Sequence, residues 1–132
     1  SARAYYQPGL EPGLFELSVE MAPGKTAAEG EAALYAELDR LAKDGPSERE
    51  LQKARNQAEA SFVQQLKTNN GVGQTLGFYE HVYGDYRKMF TAIDSFRAVT
   101  AADCKRVAKE IFDARKRTVA VLVPEAAEGE AK

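Results

Sequence analysis

Three helix-start signatures constrain this chain more than any other feature of its sequence. In each, a Ser or Thr is followed three residues later by an acid, so the hydroxyl accepts a hydrogen bond from a free backbone N–H and the acid accepts one from the capping residue. The acid also lies at the positive end of the helix dipole. Together they predict a chain built mainly of helices. The signatures are Thr26-x-x-Glu29, Ser47-x-x-Glu50 and an Asp variant, Thr100-x-x-Asp103.

Apolar residues at helical spacing follow the first two signatures. The first stretch is predicted to end at Gly45-Pro46, and the second at Asn69-Asn70-Gly71. Because the connection between them is short, we expect these two helices to form an antiparallel pair. The stripes are Leu34, Leu38 and Leu41 in the first helix and Leu51, Ala54, Ala58, Phe62 and Leu66 in the second.

The region from 73 to 96 reads as a helix broken at Gly84-Asp85, and a further helix opens at Thr100. Aromatic residues are frequent here, and we interpret them as core or as a seam between helices, because the chain needs large apolar groups for its helix contacts. A ligand cage is the less favoured alternative. The aromatic residues are Phe78, Tyr79, Tyr83, Tyr86, Phe90 and Phe96.

Two segments are predicted to be strands. Apolar and polar residues alternate from Leu14 to Met21, which is typical of a half-buried strand, and the preceding Pro-Gly turns place Tyr5 and Tyr6 on a strand that pairs with it. Thr118–Val123 is apolar on both faces and is stopped by Pro124, which indicates a strand inside a covered sheet.

These elements predict an α+β fold with helices packed on one face of a mostly antiparallel sheet. Because so few strands cannot complete a sheet, we expect either that the chain dimerises along its strand edges or that the remaining strands lie in sequence outside it. The start at Ser1 lacks a Met and an apolar signal core, so we expect a processed or artificial boundary. The acidic tail, residues 125–132, is predicted to be disordered.

Composition excludes several classes of function. The 132 residues fit one domain, and 18 Lys and Arg against 20 Asp and Glu, interleaved, leave no basic field for nucleic acid. No apolar run approaches the roughly 20 residues that a membrane span needs. We expect a soluble protein. Its localisation could be the bacterial periplasm or the cytoplasm, because the lone Cys104 excludes only a disulfide scaffold.

The only histidine lies in a fragment of a metal motif. Glu80 and His81 match the last two positions of His-x-x-Glu-His, but Gly77 stands where the first histidine is required. Since zinc sites use at least three protein ligands, we interpret the match as coincidence and His81 as a partly exposed helix residue. We therefore predict no catalytic, cofactor-binding or metal-binding residue and no cofactor in this chain.

The other reactive side chains have structural interpretations. Cys104 lies in the first turn of a helix, yet it lacks an evident partner and is interpreted as packed. The run Arg115-Lys116-Arg117 closes a helix at its negative end, with anion binding as the minor alternative. The sequence contains no GxGxxG, P-loop or GxSxG motif. Caps and solvated helix faces account for Glu29, Glu31, Glu37, Glu48 and Glu50.

The order of these features, over about residues 5 to 124, resembles the C-terminal part of a domain of the insulinase-type (M16, pitrilysin-like) zinc peptidases. No single piece is diagnostic, because each is a cap followed by a stripe, but the pieces occur in the family's order. The segments that carry the resemblance are Gly13–Leu17, Ala22–Thr26, Gly45–Arg55, Ile93–Asp103, Val107-Ala108 and Thr118–Pro124.

The resemblance implies that two homologous halves form a clam-shell, of which one carries His-x-x-Glu-His and a distant Glu while the other usually lacks them. The zinc motif then precedes the matched segment, so Gly77–His81 is not its remnant. Partner halves often supply an Arg and a Tyr to substrate. Phe15 stands where a cation would be sought, with Arg3, Tyr5 and Tyr6 only nearby, so no catalytic residue is carried over.

The resemblance therefore predicts that residues 1–124 are the C-terminal portion of a peptidase domain, most consistent with the non-catalytic half. It would shape the peptide-binding chamber of a zinc metalloendopeptidase, with a homologous catalytic half and a peptide as partners and zinc in the parent or partner half. The alternative is a non-enzymatic structural or assembly subunit of the same family. A third hypothesis is a self-associating helical module that forms an edge-paired dimer.

Overall fold

A computed structural model describes residues 1–123, which form an antiparallel hairpin followed by five α-helices. This arrangement confirms the predicted α+β fold with an incomplete sheet. The predicted tail, residues 125–132, lies outside the described residues. The elements are β1 (Ala2–Tyr6), β2 (Phe15–Val19), α1 (Ala27–Asp44), α2 (Glu48–Gln65), α3 (Asn69–Tyr83), a 3₁₀ turn (Tyr86–Thr91), α4 (Ala92–Ala98), α5 (Ala101–Ile111) and a 3₁₀ turn (Ala114–Lys116).

All three predicted capping boxes are formed. The backbone N–H of each capping residue donates to the acid three residues later, at 2.8 Å for Thr26, 2.7 Å for Ser47 and 3.0 Å for Thr100. The hydroxyl of each capping residue accepts from the backbone N–H of that acid in return. Each box therefore fixes where its helix begins, at α1, α2 and α5.

The hairpin has one face toward the helices. The pairing Ala4 with Leu17 and Tyr6 with Phe15 puts these side chains on the same face, because directly opposed residues share a face of the sheet. Phe15 contacts Phe112, which follows α5, with ring centroids 5.4 Å apart. Arg3 and Tyr5 lie on the opposite face and are exposed.

A glycine lets α1 approach the hairpin. Gly30 is buried, and a Cβ there would overlap the sulfur of Met21 and lie 3.4 Å from a methyl of Val19. A side chain at this position would therefore require the Met21 side chain to move, and glycine permits the close contact.

The predicted antiparallel pairing of α1 with α2 is wrong. Helix α1 packs along α5, and Gly45, at the end of α1, lies close enough to α5 that an added Cβ would be 3.3 Å from the carbonyl oxygen of Ala101. Helix α2 packs against α4 instead, through Phe62 and Phe96 at 6.1 Å and an ion pair between Arg97 and Glu59. The stripe of α1 is covered by a helix distant in sequence, which local spacing does not reveal.

The predicted end of α2 at Asn69-Asn70-Gly71 is also wrong. Helix α2 ends at Gln65, and Asn69 begins α3, because the Thr68 hydroxyl accepts a hydrogen bond from the Gly71 N–H at 3.0 Å. Thr68 thus caps α3 although Gly71, three residues later, stands where a full capping box has an acid. The predicted break at Gly84-Asp85 is present, since Gly84 closes α3 with φ +66° and Asp85 caps the 3₁₀ turn.

The second predicted strand, Thr118–Val123, is not formed within residues 1–123. A strand requires a neighbour to take its backbone hydrogen bonds, and the described sheet has only β1 and β2. All six residues are exposed, and Leu122 is 98% exposed.

The buried core of residues 1–123 is small. Its buried apolar residues are Leu51, Met89, Ala92 and Ala108, and none of the large side chains is fully buried. Several large apolar side chains are exposed instead, including Phe15 at 40% and Phe90 at 70%. The described residues therefore leave apolar surface that their own packing does not cover.

We predict opposite effects for two alanine substitutions in α3. In Gly71→Ala the new Cβ overlaps the carbonyl oxygen of Gln65, so the free energy of unfolding should fall by roughly 1–3 kcal/mol. In Gly77→Ala the Cβ meets nothing within 4 Å, so replacing this helical glycine should raise the free energy of unfolding by roughly 0.5–1 kcal/mol. Urea unfolding followed by circular dichroism measures both, and equal effects would contradict the close approach at Gly71.

Candidate functional site

Glu80 and His81 lie near the end of α3, and both are exposed. The carboxylate of Glu80 accepts a hydrogen bond from the backbone N–H of Tyr86 at 3.0 Å. Glu80 therefore holds the start of the 3₁₀ turn that follows Gly84. Its interaction is with the backbone, and it is structural.

No group of three His, Cys, Asp or Glu side chains that could hold a metal ion occurs within residues 1–123. Gly77 occupies the position where a first histidine would stand, on an exposed part of α3. Since a zinc site requires at least three protein ligands, the residues present here do not fit zinc.

Cys104 lies in the first turn of α5, where its backbone N–H donates to the carbonyl oxygen of Thr100 at 3.2 Å. Its side chain is half-buried and its thiol is free. Cys104 therefore stays interpreted as a packed thiol.

The acids at helix starts act as caps. The pKa of Glu29 is lowered by the backbone N–H of Thr26, that of Glu50 by the backbone N–H of Ser47, and that of Asp103 by the hydroxyl of Thr100. These groups are bound to their own helix starts and do not converge on a cavity.

The other acids form short-range contacts with neighbouring side chains. Glu37 accepts hydrogen bonds from Arg40, which lowers the pKa of its carboxyl, and Glu48 lies 3.5 Å from Arg55. Glu31 accepts a hydrogen bond from the hydroxyl of Tyr35, which raises the pKa of Tyr35. Of the five acids considered from the sequence, Glu29 and Glu50 complete capping boxes, whereas Glu31 is half-buried against Tyr35 and is not on a solvated face.

The side chains of the basic run after α5, Arg115-Lys116-Arg117, each interact with another group of the chain. Arg115 pairs with Asp113, and the ammonium of Lys116 donates to the carbonyl oxygen of Glu110 at 3.1 Å. The guanidinium of Arg117 lies over the ring of Tyr35, 3.8 Å from its centre. This cation–π contact attaches the residues after α5 to α1. It was missed from the sequence, because nothing local connects positions 35 and 117.

The residues considered for a substrate-binding Arg and Tyr divide between the two faces of the hairpin. Arg3 and Tyr5 lie on the exposed face, whereas Tyr6 and Phe15 stack at 6.5 Å on the face toward the helices. Arg3 and Tyr5 therefore share the face that is turned away from the helices, while Tyr6 and Phe15 remain 49% and 40% exposed on the other. Nothing in the geometry assigns Arg3 and Tyr5 a role.

An aromatic cluster on α3 is the most developed side-chain cluster outside the caps. It consists of Phe78, Tyr79 and Tyr83, whose ring centroids are 5.2 to 5.8 Å apart. Burial raises the pKa of the Tyr79 hydroxyl. The ammonium of Lys88 lies 5.8 Å from the centre of the Tyr83 ring. The spacing of four between Tyr79 and Tyr83 is the sequence signal for this cluster, and it is a packing feature without a polar constellation beside it.

No helix within residues 1–123 is both long and apolar enough to cross a bilayer.

The sequence matches no protein-family model and no curated protein. Two solved structures are similar over nearly the whole chain. One is the inactive peptidase domain of a proposed zinc protease from Bordetella parapertussis, with 24% identity, a TM-score of 0.74, and coverage of 96% of this chain and 70% of that one. The other is a proposed zinc protease from Bordetella pertussis Tohama I, with 25% identity, a TM-score of 0.76, and coverage of 94% and 68%. The chain thus has the fold of these peptidase domains.

We predict that Glu80 stabilises a turn and that neither it nor His81 binds zinc. Glu80→Ala should lower the free energy of unfolding by about 1 kcal/mol, because the Tyr86 N–H loses its acceptor, while Glu80→Gln retains an acceptor and most of the stability. His81→Ala should change stability by less than about 0.5 kcal/mol. Urea unfolding and the zinc content of the purified protein measure these effects. Stoichiometric zinc that is lost in Glu80→Gln or His81→Ala would overturn the structural interpretation.

We predict that the caps weaken in acid. A carboxyl with a lowered pKa in the folded state binds its proton less readily there than in the unfolded chain, so stability is present above its ordinary pKa and is lost as the pH falls. Asp103→Asn should therefore reduce the loss of stability between about pH 5 and pH 3. Asp39→Asn is the matched control, since within residues 1–123 Asp39 forms no hydrogen bond or ion pair. Identical pH profiles for the two variants would contradict the role of Asp103.

Proposed function

We propose that this chain is a non-catalytic portion of a zinc metalloendopeptidase. The observation that carries the proposal is the likeness in fold to two proteins described as zinc proteases, of which one is described as inactive. Residues 1–124 would be the C-terminal portion of one insulinase-type (M16) domain, as the order of the sequence segments implies. The parent protein, and not this chain alone, would be the enzyme.

The donor set supports the non-catalytic assignment. The sequence has a single histidine, His81, and a single cysteine, Cys104, and they lie on different helices. Zinc peptidases need three protein ligands and a general base at one place. Zinc would therefore reside in the homologous catalytic half, either upstream in the same chain or in a partner subunit, where it would activate water for attack on a peptide carbonyl.

The role of this portion would be to shape the surface of the chamber that holds the peptide. Its exposed apolar side chains support a position inside a larger assembly, because proteins seldom leave so many uncovered. The face of the hairpin that carries Arg3 and Tyr5 is accessible and offers one cation and one hydroxyl to a peptide. No proton transfer is assigned to any residue of this chain.

A non-enzymatic structural or assembly subunit of the same family is the second candidate. It is favoured by the inactivity stated for the similar Bordetella parapertussis domain. Both candidates give this chain the same fold and the same lack of zinc ligands. They differ only in whether a catalytic half exists beside it.

The reading frame upstream of Ser1 and the neighbouring genes provide the test. We expect one of them to encode a homologous half with His-x-x-Glu-His. Co-expressed with this chain, that half should form a complex that holds one zinc and cleaves peptides until a chelator is added. The control is the motif Glu→Gln variant of that half, which should keep the complex and lose cleavage.

Two outcomes would contradict the peptidase proposal. If neither the upstream frame nor a neighbouring gene carries the motif, the assembly subunit is the correct assignment. If this chain alone binds zinc tightly and cleaves peptides, the non-catalytic assignment is wrong.

A further inference from the structure

Within residues 1–123, one edge of strand β2 has no neighbouring strand. Ser1 and Glu20 exchange both backbone hydrogen bonds, at 2.7 Å and 2.8 Å. Bonded and non-bonded pairs alternate along an antiparallel ladder, so Phe15, Leu17 and Val19 direct their N–H and C=O groups away from β1. The sheet formed within residues 1–123 has only two strands, and no third strand takes these groups.

The same chain also carries a strand-like segment that pairs with no strand within residues 1–123. Thr118–Val123 has the composition of a strand, and among residues 1–123 none of its backbone groups has a hydrogen-bond partner in another segment. Its side chains are exposed, with Val121 at 56% and Val123 at 69%. The stacking of Arg117 on Tyr35 holds the start of this segment on α1.

We propose that Thr118–Val123 of one copy of this chain pairs antiparallel with β2 of a second copy, and that the exchange is reciprocal about a two-fold axis. The donor segment and the acceptor edge occur on one chain without being joined in it, which is the arrangement that reciprocal strand exchange between identical chains requires. Addition of a strand to an exposed edge is a common mode of association.

One register satisfies both the backbone and the side chains. It places Val119, Val121 and Val123 opposite Val19, Leu17 and Phe15. These are the β2 residues whose backbone groups point outward, so each pair exchanges two hydrogen bonds. The valines then extend the apolar face that β1 and β2 turn toward the helices, and a shift by one residue would lose this match.

The area involved predicts a weak dimer. A six-residue strand is about 20 Å long, and two such pairings bury on the order of 1,000 Å², at the lower limit of specific interfaces. The pairing also gives the hairpin a third strand, which two-stranded sheets need for independent stability. We therefore expect association at micromolar concentrations, and we expect it whether or not the proposed function is correct, because it concerns the chain by itself.

Light scattering coupled to size-exclusion chromatography, from low micromolar to several hundred micromolar chain, tests the association. The mass should rise from that of one chain toward that of two. Val121→Pro removes an N–H that faces β2 and should weaken the dimer by about tenfold or more. Ala120→Pro is the matched control, since its N–H faces away from β2 and the dimer should persist. Circular dichroism verifies that both variants keep their helices.

Disulfide trapping tests the partner and the register. In a Cys104→Ser background, chains with Leu17→Cys are mixed with chains carrying Val121→Cys. In an antiparallel ladder, the Cα atoms of a directly opposed, hydrogen-bonded residue pair are about 5.5 Å apart. This distance is within the range of a disulfide, so the two chains should cross-link. Leu122→Cys in place of Val121→Cys is the control and should not cross-link, because its side chain lies on the other face.

Any of four outcomes would overturn the proposal. The first three are a single-chain mass at every concentration, an equal effect of the two proline variants, and cross-linking by Leu122→Cys as efficient as by Val121→Cys. A chain carrying both Leu17→Cys and Val121→Cys that closes only an internal disulfide would show pairing within one chain and would also overturn it.

Discussion

Two small contacts join the hairpin to the helices, and the arrangement of the whole fold depends on them. Gly30 of α1 lies against Val19 and Met21, and Phe15 of β2 contacts Phe112 after α5. Helix α1 and the residue that follows α5 thus meet the hairpin, and α1 and α5 also pack on each other. The remaining helices form a second group in which α2 contacts both α3 and α4, and residues 45–47 and 99–100 connect the two groups.

The difference between local and distant interactions decides how much could be predicted from the sequence. Capping boxes are complete within four residues, so the starts of α1, α2 and α5 were correct to the residue. The partner of α1 was wrong, because the residues that cover it are about 70 positions away and leave no mark at helical spacing. The start of α3 was missed because Thr68 caps it without the acid that completes a box.

The candidate site shows the same division. Structural roles for Glu29, Glu50 and Glu80 follow from groups within six residues of each one, and local patterns reveal the first two. The contact of Arg117 with Tyr35 and the ion pair of Arg97 with Glu59 join distant parts of the chain, so only the three-dimensional structure reveals them. Fold likeness in turn indicates a class of protein, while function must rest on the chemistry of particular residues.

The small core and the absent site have a common physical explanation. The segment Thr118–Val123 carries enough apolar surface to be an interior strand, yet within residues 1–123 it has no neighbour to bury it. A chain whose strands lack neighbours would also lack the side chains that those neighbours contribute, and zinc ligands are drawn from several elements at once. Under the proposed function, the scarcity of His and Cys is a property of the non-catalytic portion, and the zinc ligands would come from the homologous half.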